Sequence, residues 1–210
     1  MSRLQDALVA HYKMNDNLAT SAVVDSTGTK NGVYTDGVTP VNTSTGSVAG
    51  KVNSALDLDT NEWINVGAHG ATIKKTIAMW VNPDAVNVTD GIIQLNGSVV
   101  AKITNGTVTM AGWTIYIDGE VGTAVTADWH FIAFTNDTGS DADILQIGKD
   151  YAFTYFNGIV DNVMLFTEEL TPDEIRRLYN NGHGSEILAE AECTRRFNSS
   201  RLPTRARFEK

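Results

Sequence analysis

Short apolar runs of strand length recur along the chain, each closed by a cluster of Gly, Asn, Asp or Thr. They fall at 8–12, 55–58, 63–66, 76–81, 91–95, 99–103, 108–110, 113–117, 129–135, 144–147 and 158–166. Each is rich in β-branched or aromatic residues, and the turn signals come at near-regular spacing. This pattern predicts an all-β sandwich of two antiparallel sheets.

Two local signals sharpen the prediction. Trp113-Thr-Ile-Tyr-Ile runs into Asp118-Gly119, the dipeptide favoured in a two-residue hairpin turn, and predicts a β-hairpin there. Thr171-Pro172-Asp173-Glu174 predicts a helix start, with Thr171 as cap, proline at the first helical position and Glu174 closing a capping box. Ile175, Leu178 and Tyr179 then share one face and Gly182 ends the element, giving one short surface helix near the C-terminal end. The stretch 35–50, rich in Thr, Ser, Val and Gly, reads as a loop or an edge hairpin. Residues 1–183 thus read as one domain and 184–210 as an extended C-terminal arm. Residues 193–210 show neither strand nor helix period.

The 210 residues, with 42% apolar and 20% charged side chains, suit one soluble globular domain with a sizeable core. No run reaches the roughly 18 consecutive apolar residues of a membrane-spanning helix, and the first residues hold no apolar signal core. The only cysteine, Cys193, leaves no intramolecular disulfide to expect. Charge is uneven. Residues 1–183 carry ten Lys/Arg against 21 Asp/Glu, while 184–210 carry six against four. An acidic body argues against nucleic acid as a partner, because phosphate contacts need clustered Lys and Arg.

A family order is legible in the motifs. Ala10-His-Tyr-Lys-Met-Asn-Asp-Asn-Leu and Val24-Asp-Ser-Thr-Gly-Thr-Lys-Asn-Gly are followed by Gly50-Lys-Val-Asn-Ser-Ala-Leu-Asp-Leu, Trp63-Ile-Asn-Val, Thr76-Ile-Ala-Met-Trp-Val, Tyr116-Ile-Asp-Gly and Asp128-Trp-His-Phe-Ile-Ala. The series closes with Phe156-Asn-Gly-Ile-Val-Asp-Asn-Val-Met-Leu-Phe and Leu170-Thr-Pro-Asp-Glu-Ile-Arg-Arg-Leu-Tyr-Asn-Asn-Gly. Over residues 8–183 the chain resembles the laminin-G-like domains, pentraxins included, of the concanavalin A-like jelly-roll class. The resemblance implies the fold more strongly than any one activity, since this fold hosts lectins, adhesins, enzymes and structural modules.

The resemblance also implies a calcium site joining Asp25 to Asp161, with the Asn31-Gly32 turn offering a further oxygen ligand. Asn162 stands where the family often has a second acid. The alternative for Asp25 is an Asx-turn closed by its own side chain, and for Asp161 a bond to a buried amide. Trp63, Trp80 and Trp129 lie in apolar strand patterns and are expected in the core, with Trp113 less constrained. His11, His69, His130 and His183 show no metal-ligand spacing.

Catalysis is not expected. Glycan hydrolysis on a jelly roll needs two carboxylates from one concave strand. Asp57 and Asp59 alternate correctly but fall where a strand ends, Asp141 and Asp143 sit in a turn, and Glu168 and Glu169 precede the helix. No Ser-His-Asp grouping or phosphate loop offers a second route. The arm supplies the last candidates. Arg195, Arg196, Arg201, Arg205 and Arg207 are expected to pair with acidic neighbours, and Phe197, Leu202 and Phe208 to anchor on a partner, another copy included. The sequence therefore points to a non-catalytic subunit of a larger assembly, such as a phage virion decoration or adhesion protein, binding other protein subunits. The alternative is a calcium-dependent lectin at the cell surface or outside the cell, with glycan as partner.

Overall fold

The computed structural model describes residues 3–59 and 61–185. In chain order the strands are β1 (Leu8–Tyr12), β2 (Ala22–Val23), β3 (Gly32–Thr35), β4 (Ser47–Ala49), β5 (Ser54–Leu58), β6 (Trp63–Gly67), β7 (Lys74–Pro83) and β8 (Thr89–Gln94). They continue as β9 (Val100–Thr104), β10 (Thr107–Met110), β11 (Thr114–Ile117), β12 (Glu120–Val121), β13 (His130–Ser140), β14 (Leu145–Ile147) and β15 (Gly158–Phe166). Three short helices accompany them: α1 (Arg3–Ala7), α2 (Thr43–Gly46) and α3 (Pro172–Tyr179).

One sheet runs β12-β11-β13-β7-β15-β5-β4, with β1 also paired to β15; the other runs β10-β9-β8-β14-β6-β3-β2. Neighbouring strands in both are antiparallel. The expected sandwich is present, and its strands coincide with the apolar runs to within a few residues. The stretch 35–50 resolves into α2 and the edge strand β4.

The main core lies between the sheets. Ile77, Met79 and Val81 of β7 face Ile92 and Ile93 of β8, with Ile132, Phe134, Ile147 and Val160 among them. The other side of β7 is also buried. Ala78 and Trp80 join Phe131, Met164, Phe166, Leu170, Ile175 and Leu178 in a second apolar cluster beneath α3. Helix α3 forms as its sequence requires: the Thr171 side chain accepts from the Glu174 amide, and Glu174 reaches back to the Thr171 amide. Its end differs from expectation. Asn180 already takes the left-handed cap, at φ 50°, two residues before Gly182, because a short amide side chain tolerates that region. The Asp118-Gly119 hairpin is as predicted, with φ 53° and 85° at its centre and Ile117 paired to Glu120.

The tryptophans divide. Trp80 is buried in the cluster under α3, and Trp129 and Trp113 are half-buried at the margins of the two cores. Trp63 is buried as expected, at 7% exposure, but belongs to neither of the two apolar clusters. Its neighbours Ile64 and Val66 point between the sheets, so by strand alternation Trp63 points outward. It is covered there by the 36–39 turn, whose Gly37 has φ +87° and no room for a Cβ against the indole.

Candidate functional site

The end of the sandwich where β5, β7 and β14 finish and β6 and β15 begin gathers most of the unusual side chains. Tyr34, Asp57, Asp59, Glu62, Asp84 and Asn157, with Gly46 and Val48, line a cavity of about 350 Å³. Its carboxylates are built in. Glu62 accepts hydrogen bonds from the Tyr34 hydroxyl and the Asp59 amide, and Asp84 accepts from Asn157 Nδ2 at 3.2 Å. Burial, with the charges of Asp84, Asp59 and Glu62 added, raises the Asp57 carboxyl above the usual range. Asp90, just behind Asp84, is 7% exposed, and its Oδ2 has no hydrogen-bond partner among the described residues. Burial pushes its pKa up to about 6 against one amide hydrogen bond from Asn157, with Asp84 adding to the rise.

The 149–155 loop joins β14 to β15 at the same end of the sandwich. It packs on Gly91 of β8, where an added Cβ would lie 2.6 Å from the Asp150 nitrogen, so only glycine fits beneath it. Asp150 ties the loop down: it accepts from the Thr154 amide at 2.8 Å and pairs with Lys102 at 2.5 Å. The Lys149 ammonium sits 3.9 Å from the Trp63 ring centre, 4.5 Å from Phe153 and 5.3 Å from Tyr155. So held, the loop presents Tyr151 and Phe153 to solvent at 59% and 69% exposure. Phe153 has φ +61°, a conformation a bulky side chain adopts only at a cost of roughly 1–3 kcal/mol. The fold thus keeps a strained backbone to display an apolar ring at the end of the sandwich that also carries the acidic cavity.

The residues expected to hold calcium are engaged otherwise. Asp25 is 2% exposed and accepts from the amides of His11 (2.9 Å), Thr27 (3.0 Å) and Lys30 (3.1 Å) and from the Thr27 hydroxyl. Asn31 Oδ1 accepts from the Asp25 amide. Asp161 lies in β15 beside Trp80, and its Oδ2 accepts from the Val52 amide at 2.8 Å. Oxygens already facing N–H groups do not suit a hard cation, so the donor set at Asp25 and Asp161 does not fit calcium. Among the described residues no three His, Cys, Asp or Glu side chains gather as a metal site. Asn162 Oδ1 accepts from His11 Nε2 at 2.6 Å and its Nδ2 donates to the Ser185 carbonyl, which makes it a structural joint. Arg195, Arg196, Phe197, Arg201, Leu202, Arg205, Arg207 and Phe208, together with Cys193, lie outside the described residues.

Of these cavity residues the sequence singles out Asp57 and Asp59, as the end of a strand. The exposed rings of Tyr151 and Phe153 lie in the connection between the runs 144–147 and 158–166; the clue is three aromatics at alternate positions, 151, 153 and 155.

No protein-family model matches the chain, and no curated protein matches it. Solved structures do. The fold is similar to domain 4 of an extracellular arabinanase from Geobacillus stearothermophilus, determined in complex with arabinotriose, at 15% identity and a TM-score of 0.57. That match covers 81% of this chain and 97% of the domain. A Trypanosoma rangeli sialidase mutant displaying trans-sialidase activity matches at 14% identity and a TM-score of 0.55, over 87% of this chain. The chain spans about a third of that sialidase, 34% of its length. At these identities the likeness is one of fold.

Proposed function

We propose that the chain is a carbohydrate-binding β-sandwich of laminin-G-like type, taking a saccharide across the cavity at Asp57 and Asp84 and the rings of Tyr151 and Phe153. The observation that carries the reading is this pairing. A sugar ring has an apolar C–H face and a rim of hydroxyl donors; exposed aromatics match the first and hydrogen-bond-accepting carboxylates the second. The similar arabinanase domain, solved with arabinotriose, supports a saccharide as ligand. An extracellular or cell-surface setting follows from such a ligand. The proposed site works by binding, leaving glycosidic bonds intact, and calcium has no part in it. The particle-subunit reading rests on the arm, and among the described residues nothing carries it.

Titration calorimetry against a panel of neutral oligosaccharides tests the proposal. Binding is expected at one site and unchanged by EDTA. The double variant Tyr151→Ala/Phe153→Ala is expected to weaken it roughly 30-fold, about 1 kcal/mol per ring, with Tm unchanged because both rings are already exposed. Equal affinity in the variant, or no bound saccharide, overturns the reading. New reducing ends would replace it by hydrolysis.

A further inference from the structure

A second constellation stands on the same end of the sandwich. His130 opens β13, and the row Leu56–Val160–Val81–His130 runs across β5, β15, β7 and β13. His130 Nδ1 lies 2.8 Å from Asp118 Oδ2, and its Nε2 lies 2.9 Å from the Thr126 hydroxyl. The proton positions follow from the partners. Asp118 is a carboxylate: burial raises it, but the His130 and Phe131 N–H groups more than offset that and hold it below the usual range. It can only accept, so Nδ1 carries the proton. The Thr126 amide donates to Nε2 at 3.1 Å, so Nε2 presents its lone pair. The tautomer is the one a general base needs, and an exposed hydroxyl faces that lone pair.

We propose that Thr126, His130 and Asp118 form a nucleophilic triad that removes small acyl groups from esters, the ester being carried by the saccharide bound next to it. The triad is read from its own geometry; only the saccharide as carrier rests on the binding reading. Asp57 lies three strands away at this sheet end, roughly 15 Å at the usual strand spacing.

The chemistry balances within these groups. Thr126 Oγ1 bonds to the ester carbonyl carbon as its proton passes to His130 Nε2. The imidazolium can no longer accept from the Thr126 amide, which is released beside the developing oxyanion. The carbonyl re-forms, the ester C–O bond breaks, and the alcohol leaves with the proton from Nε2. Water then gives a proton to Nε2 and attacks the acyl carbon. The acid departs, and Thr126 recovers its hydroxyl proton, so that ester and water become acid and alcohol. Asp118 positions the ring and stabilises its positive charge, and is a positioning residue.

The experiment uses the full chain with p-nitrophenyl acetate and, separately, an acetylated oligosaccharide, and maps acetyl groups by mass spectrometry of quenched reactions. Turnover of the aryl ester with an acetyl group on Thr126 is expected. Thr126→Val should lower the rate at least 100-fold, as general-base catalysis contributes about 10²–10⁴. Thr126→Ser, which keeps the hydroxyl without the methyl group, should retain or raise it. An unchanged rate in Thr126→Val, with acetyl on His130 or nowhere, means a lone surface imidazole and overturns the triad. Aryl ester turnover with no acetate released from the oligosaccharide keeps the triad and overturns the saccharide as carrier.

Discussion

Replacing Asp25 by alanine is expected to cost about 4 kcal/mol of stability, enough to lower Tm by roughly 10 °C or more in a chain of this length. The carboxylate is the acceptor for three backbone amides and one hydroxyl, from β1 and from the 25–30 loop. Removing it leaves the His11 amide buried without a partner and strips the Thr27 and Lys30 amides of the acceptor that closes the 25–30 loop. The same group sets an acid limit. Burial alone would raise its pKa, but the facing His69 ring and the amides of His11, Lys30 and Thr27 reverse this and hold it at about 2. A carboxyl with a depressed folded pKa stabilises the fold above its unfolded value of 3.8 and loses that contribution as pH falls through 2. Between pH 4 and 2 the wild type is therefore expected to lose about 2 kcal/mol through this group, a loss absent in Asp25→Ala. Thermal melts across that range check both statements.

Asp90 acts with the opposite sign. Its folded pKa of about 6 stands above the ordinary 3.8, so the folded chain holds this proton more tightly than the unfolded one. Stability from this group is complete below pH 4 and falls as pH rises through 6, by about 3 kcal/mol in all. Asp90→Asn keeps the shape and removes the charge. It is expected to raise Tm at pH 8 by several degrees and at pH 4.5 by about a third as much, Asp25 being still ionised in both proteins at that pH. Asp16 and Asp57 are also raised, so a residual slope of the same sign is expected to survive in the variant. Equal Tm for the two proteins at pH 8 would show that Asp90 is not buried as a charge.

How much of this was legible in the sequence depended on range. The strands, the Asp118-Gly119 hairpin and the cap of α3 are local, fixed by residues a few positions apart, and were readable. Trp63 is buried as its apolar run predicts, but the run does not say which alternating face turns inward. Whether its indole faces the other sheet or a loop is set by Gly37 and Lys149, distant in sequence. Asp25 illustrates the same limit from the other side. A family pattern implied cation ligation, while its four donors come from β1 and its own loop, where the Asx-turn alternative had placed it. The cavity needs Tyr34, Asp57, Asp84 and Asn157 from four separate segments, and no spacing announces that. The Asp118, Thr126 and His130 grouping lies within thirteen residues, but with threonine at the hydroxyl position it does not match a Ser-His-Asp pattern.

The sheet built around β7 is buried on both faces, by the other sheet on one side and by α3 on the other. A side chain there answers to two sets of neighbours at once, so substitutions in β7, β13 and β15 are doubly constrained. The 149–155 loop answers only to Gly91, Lys102 and Trp63 beneath it, while Tyr151 and Phe153 face water. Exchange of those two rings can therefore redirect recognition while the folding unit stays intact, which makes this loop the natural place for lineages, or for engineers, to change what the domain holds.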